Sequence, residues 1–339
     1  MDAHPDNSAV ALRPAYLFLV LVIGLHFTVG SLVQLANPAF GINFGEFFFF
    51  AGLTWIFTRA QNFRPVEFLA LRLPPGRTMF AALGAAIAGF FFAGGVNAIN
   101  RWLVGPELAK RYDVTGLFEV RSPLEGALLV LGVAVMAPIG EELVFRGYLQ
   151  RVLGARYGTW TAVVVTSVLF AAIHLNPASV LALFALGVVF ALLRVWSGSI
   201  WPAILAHAVQ NGTSSAMVLS GLAEDSPDEL PIGQALILLA VTTPILWLAL
   251  QHLRRMPAVS EADAAEPHDP EADHRFRPGR VKGLALGLTA AAALSLVALF
   301  LVDGEAALAR LQRAASGGLP ETPDVETQPL PEEPLRDAG

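Results

Sequence analysis

Three short groups of residues hold the side chains that could do chemistry in this chain. Glu141, Glu142 and Arg146 lie in "EELVFR", His174 closes "FAAIH", which begins at Phe170, and His207 and Asn211 bound "HAVQN". Glu142 and Arg146 are four residues apart, so on a helix they share a face and pair in the favourable order, acid first. Glu141 then lies about 100° around the helix and is left to point elsewhere. His207 and Asn211 are also four apart and offer an imidazole and an amide on one face. A free carboxylate can take a proton from water, and an imidazole and an amide can stabilise an oxyanion. These are the parts of a hydrolytic site. They would equally serve a protein that handles protons or ions within the membrane, and the residues alone leave both readings open.

The stretches that carry these groups are otherwise apolar. Of 339 residues, 55% are hydrophobic and only 15% charged, and the mean hydropathy is +0.57. A soluble domain is nearer one-quarter charged. Apolar runs long enough to cross a bilayer are read at 15–36, 40–58, 78–100, 123–146, 158–175, 178–195, 199–220, 232–251 and 282–302. The fold class expected is therefore all-α, a polytopic transmembrane bundle of about eight core helices and one C-terminal helix. Pro138 and Gly140, just before the glutamates, can loosen their helix and admit water.

Within lipid an ionisable side chain costs about 2.5–3.5 kcal/mol, so the polar residues inside the spans form a short list of candidates. Besides the three groups it holds His26, Glu46, Asn97, Asn100, Glu125 and Arg194. Glu46, Glu125 and Arg194 are expected to reach the headgroups from span ends, and His26, Asn97 and Asn100 to bond neighbouring helices. The chain has no cysteine, which excludes disulfides, thiolate metal sites and cysteine nucleophiles. No basic patch interleaved with aromatics suggests nucleic acid. HExxH, GxSxG and P-loop patterns are absent, and "NGT" at Asn211 fits a glycosylation sequon only by accident, since it lies in a span.

The expected organisation is an N-terminal cytoplasmic segment (1–14), a membrane domain (15–251), a disordered polar linker (252–281), a further transmembrane helix (282–302) and a disordered acidic tail (303–339). The stretch 101–122 is amphipathic enough to lie on the membrane surface. Placing the N-terminus in the cytoplasm puts 15 of the 22 lysines and arginines on the inner side, as the positive-inside rule asks. The first helix is not expected to be a cleaved signal. With 1.5 Å of rise per residue, His174 falls near the far end of the fifth helix while Glu141 falls near the inner end of the fourth. The two can meet only if the fourth helix extends past the bilayer or the assigned depths are off by several residues.

In that order and on separate helices, EExxxR, FxxxH and HxxxN resemble the CAAX-protease and bacteriocin-processing (CPBP, or Abi) family of intramembrane proteases. The resemblance covers about 124–213 and rests on Glu141, Glu142, Arg146, Phe170, His174, His207 and Asn211. It implies a helical bundle with an internal polar cavity, in which a peptide bond of a membrane-associated protein or peptide is hydrolysed. By position, Glu141 would be the general base, His174 would hold the water, and His207 and Asn211 would bind the oxyanion, with Glu142, Arg146 and Phe170 as structural support. A metal-free site is favoured. Zinc on Glu141, His174 and His207 is the alternative, since three ligands with an open fourth position make a catalytic zinc site. The competing functions are a non-proteolytic immunity or scaffold protein of the same fold and an ion-coupled transporter, for which no inverted repeat speaks. The expected location is a bacterial inner membrane. The ninth helix and tail lie outside the shared motifs and are expected to be accessory.

Overall fold

The computed structural model describes residues 12–113, 115–118, 120, 122–222, 230–259 and 278–315. The expected N-terminal segment up to residue 11, most of the polar linker (260–277), the acidic loop 223–229 and the tail beyond 315 lie outside the described residues. Among those described there is helix and connection but no strand, and the chain is a helical membrane bundle. We number the main helices α1 (Pro14–Ala36), α2 (Pro38–Ala60), α3 (Gly76–Val104), α4 (Pro123–Tyr157), α5 (Thr159–Ile173), α6 (Val180–Ser197), α7 (Trp201–Leu219), α8 (Ile232–Arg254) and α9 (Pro278–Ala315).

Each apolar run has become a helix, but not all are membrane-length spans. Six of them (α1 to α4, α6 and α8) are long and apolar enough to cross a bilayer, and α5 is shorter. α7 falls outside that set although it has 19 residues, because His207, Gln210 and Asn211 dilute its apolar character. α9 is bent by 86° between Leu299 and Asp303, where Asp303 leaves helical geometry (φ −132°). α4 extends to Tyr157 and has 35 residues, roughly 50 Å of helix. That added length removes the difficulty over depth, since Glu141 sits mid-helix rather than at an end.

Sequence explains where the helices start and stop. Asn37 separates α1 from α2 in an extended conformation, and its Oδ1 caps α2 by accepting from the Phe40 amide at 3.0 Å, with Pro38 at the first helical position. Ser122 caps α4 in the same way, ahead of Pro123. Gly158 (φ +85°) makes the turn into α5 and Gly198 (φ +69°) the turn out of α6, conformations that cost a side-chain-bearing residue. Four stretches widen to π-helix: His26–Gly30 in α1, Glu46–Gly52 in α2, and Gly132–Met136 and Leu143–Leu149 in α4.

α3 is the central post, packed against α6, α7 and α8, and α5 lies on α6. The amphipathic stretch after α3 resolves into a short helix, Pro106–Arg111, and a 3₁₀ turn, Thr115–Phe118, with 101–104 absorbed into α3. α9 packs on the second half of α1 and on α2. Asp303 accepts from Asn37 Nδ2 at 2.9 Å, and Arg310 reaches both the Ala36 carbonyl and, at 3.7 Å, Glu125. Glu125, in the first turn of α4, is paired with Arg310, because the bend in α9 brings the helix's second half back across the start of α4.

Candidate active site

The centre of the site is Arg146, fully buried on the π-helical stretch of α4. It donates to Glu142 Oε1 at 2.8 Å and to the Gly187 carbonyl of α6 at 3.0 Å. Its guanidinium also lies over the rings of Phe170 (4.5 Å) and Phe190 (5.4 Å). A charge removed from water is tolerable only when it is paired and hydrogen-bonded, and cation–π contact adds to that support. Phe170 therefore packs the cation and joins α5 to α4. It also stands edge-on to His207, 5.5 Å between centroids.

Glu142 holds a second partner. Its Oε1 is 3.0 Å from Nδ1 of His207 on α7, and the His207 ring stacks on Phe190 at 4.9 Å with 19° between planes. An Nδ1–H donated to Glu142 turns the opposite nitrogen, Nε2, away from that carboxylate. The spacing in the sequence placed His207 and Asn211 on one face, but their hydrogen bonds diverge. Asn211 Nδ2 donates to the Val133 carbonyl of α4 at 2.9 Å, leaving the second amide hydrogen for another acceptor.

His174 ends α5. Its Nδ1 is 2.8 Å from the Phe170 carbonyl, so that the Nδ1–H is used within the helix and Nε2 carries the lone pair. That Nε2 lies 4.0 Å from Oε2 of Glu141, too far for a direct hydrogen bond. The loop after it is held firmly. Leu175 adopts φ +47°, and buried Asn100 donates to the Pro177 carbonyl and accepts from the Leu181 amide, both at 2.8 Å. Asn100 is thus the helix-bonding residue the sequence suggested, and its work is to fix the segment that follows His174.

Two polar residues at this site were missed by the sequence reading. Glu46 was assigned to the headgroups, yet it is only 5% exposed and packs against α4 so closely that a Cβ on Gly140 would meet its carboxylate Oε2. His26 was expected to bond a neighbouring helix, but its buried Nδ1 has no hydrogen-bond partner among the described residues, and its ring meets Phe50 edge-on at 5.2 Å. The signal for Glu46 was available: it stands several residues inside its span and is followed by four phenylalanines. Arg194 is likewise buried at 5% exposure rather than at the headgroups, turned inward on the face of α6 that meets the bundle.

The alternative zinc set fits poorly. Among the described residues no three histidine or acidic side chains converge in a way that could hold a metal ion. His207 is turned to Glu142 rather than to Glu141, and Glu141 with His174 makes only two ligands where zinc needs three from the protein.

Residues 123–213 match the family of type II CAAX prenyl endopeptidases, Rce1-like. An Escherichia coli chain named "Uncharacterized 24.3 kDa protein" is 32% identical over 116 residues, which are 32% of this chain and 54% of that one. The Bacillus subtilis "Putative membrane peptidase YdiL" is 28% identical over 131 residues, 37% of this chain and 52% of its own. The chain thus spans about half the length of these curated relatives. No solved structure matches it. The resemblance read from the three motifs holds over the segment that contains them all.

Proposed function

Starting from that match, we propose that the chain is an intramembrane peptidase that hydrolyses a peptide bond of a membrane-associated protein or peptide with water activated by Glu141. The observation that carries this reading is the approach of Glu141 Oε2 and His174 Nε2 to 4.0 Å. Both atoms are hydrogen-bond acceptors aimed at one small volume. An oxygen about 2.8 Å from each would see them about 90° apart, close to the angle between the two hydrogens of water. Glu141 takes one of those protons while the oxygen bonds to the substrate carbonyl carbon. The oxyanion that forms is met by the second amide hydrogen of Asn211 and, when both ring nitrogens of His207 carry protons, by its Nε2–H, the Nδ1–H being held by Glu142. Collapse breaks the C–N bond, and the leaving nitrogen takes the proton held by Glu141. The buried Glu142–Arg146 pair sets the helix that carries the base and orients His207. No metal enters these steps, since the donors do not suit one.

The test compares the membrane peptides of cells that carry the wild-type chain or Glu141→Gln. Purified protein is assayed in parallel after prolonged chelation, with its metal content measured. Peptides that appear only with the wild type, and persist after chelation, are expected. Identical peptide profiles would end the peptidase reading, and stoichiometric zinc whose removal abolishes cleavage would replace the mechanism.

A further inference from the structure

Glu46 has no part in the mechanism above, although it shares the site. It lies on α2, where the chain widens to π-helix, and its Oε2 rests against Gly140, the residue immediately before Glu141. The glycine is what admits it, because a side chain there would also meet Phe50 Cβ at 2.9 Å. Oε2 of Glu46 and Oε2 of Glu141 are both buried, and neither has a hydrogen-bond partner among the described residues. The stretch of α2 that starts at Glu46 packs directly on the stretch of α4 that ends in Glu141 and Glu142, which sets the two carboxyls on facing helices.

Among the described residues no cationic group lies within 4.0 Å of the Glu46 carboxyl. Arg146 is committed to Glu142 and to the Gly187 carbonyl. His207 is on Glu142, and His174 faces Glu141. His26 of α1, whose ring meets Phe50, makes no ion pair with Glu46 within 4.0 Å among the described residues. Two buried carboxylates in one site cannot both remain ionised at reasonable cost. A single proton held by one of them removes the repulsion and turns an acceptor into a donor.

Resting on the hydrolytic reading of Glu141, we propose that Glu46 is a positioning residue for that base: a neutral carboxylic acid whose O–H is directed to the Glu141 side. Glu141 then stays the ionised member of the pair, with Oε1 engaged by the acid and Oε2, the atom that faces His174, left for water. No net proton is consumed, because Glu46 is protonated at the start and the end of each turnover. Glutamine at position 46 preserves shape, neutrality and an N–H donor, whereas alanine removes the donor.

The test is infrared spectroscopy of the purified full-length protein in lipid nanodiscs at neutral pH, alongside cleavage of the peptides that distinguish wild type from Glu141→Gln. The carbonyl stretch of a buried protonated carboxyl should be present in the wild type, absent in Glu46→Gln and retained in Glu141→Gln. Wild-type spectra without that band, or a band unchanged in Glu46→Gln, would overturn the proposal. So would its loss in Glu141→Gln, a measurement that still decides if Glu46→Gln does not fold. In the cleavage assay Glu46→Gln should keep most of kcat. Glu46→Ala should lose about tenfold or more in kcat, the worth of one hydrogen bond to a charged group, at little change in KM. Equal losses in both variants would assign Glu46 a structural role instead. Absence of any wild-type cleavage would count against the peptidase reading alone, since the infrared bands report on Glu46 independently.

Discussion

The imidazole of His207 and the carboxylate of Glu142 stand 3.0 Å apart across the α4–α7 interface, so the second glutamate of the pair orients a histidine as well as an arginine. Glu142→Gln should therefore do more than loosen the helix. It keeps the size of the side chain but weakens the hold on His207 Nδ1, and a hydrogen bond to a charged group is worth about tenfold or more. Cleavage at least about tenfold slower is expected from protein that still inserts and folds, read by turnover per mole of folded protein. Full activity would show that the contact does not orient the ring.

Arg146 should behave differently. Arg146→Ala strands Glu142 in the core, and breaking a buried pair from one side costs about 3–5 kcal/mol. The expected result is a sharp fall in folded protein in the membrane fraction. Arg146→Lys should rescue little, because a point-like ammonium cannot serve both Glu142 and the Gly187 carbonyl while lying over Phe170. Wild-type levels of Arg146→Ala would mean that the pair is not what holds α4 in place.

Glu141→Gln removes the proton acceptor and keeps the shape. Hydrolysis should drop by about 100-fold or more with melting temperature in detergent unchanged. Unaltered cleavage would take Glu141 out of the chemistry.

Gly140→Ala tests the packing of α4 on α2. The new methyl would meet the Glu46 backbone oxygen at 3.1 Å and Phe50 Cβ at 2.9 Å, so both helices must shift. Overpacking of this kind costs about 1–3 kcal/mol, visible as a lower melting temperature. An unchanged melting temperature would show that the two helices separate freely at this point.

Truncation after Arg255 removes α9. The sequence suggested an accessory helix, and the packing of α9 among the described residues is on α1 and α2, so cleavage should survive. The bonds from Asp303 and Arg310 to Asn37, Ala36 and Glu125 mean that stability should not be untouched. A reduced melting temperature with retained turnover is expected, and an inactive yet folded core would show that α9 acts on the site.

The helices and the three motifs were legible because a charge in an apolar run is conspicuous, and because fourfold spacing fixes which side chains share a face. Glu142 with Arg146 could be paired on that ground alone. Contacts between helices were not legible in the same way. Nothing in "HAVQN" says that His207 will choose Glu142 or that Asn211 will turn to the Val133 carbonyl. Glu46 was misplaced because distance from a span end stood in for burial, while its actual position depends on a glycine almost one hundred residues away. The depth of Glu141 was misjudged for a simpler reason: polar residues after 146 masked how far α4 continues.

The widened turns in α1, α2 and α4 have a further consequence for how this chain tolerates insertions and deletions. A π-helical turn holds one residue more than the α-helical turn it replaces, so each is a place where a single residue can be removed without interrupting the helix. Deleting one residue other than Arg146 within Leu143–Leu149 would return that stretch to α-helix, with Glu141 on one side and Gln150 to Tyr157 on the other keeping the faces they now present. The same deletion within Gly132–Met136 would close the widened turn that contains Val133, and with it the carbonyl that accepts from Asn211. Register in this bundle is therefore set separately on either side of the glutamates, and a length change on one side need not disturb the other.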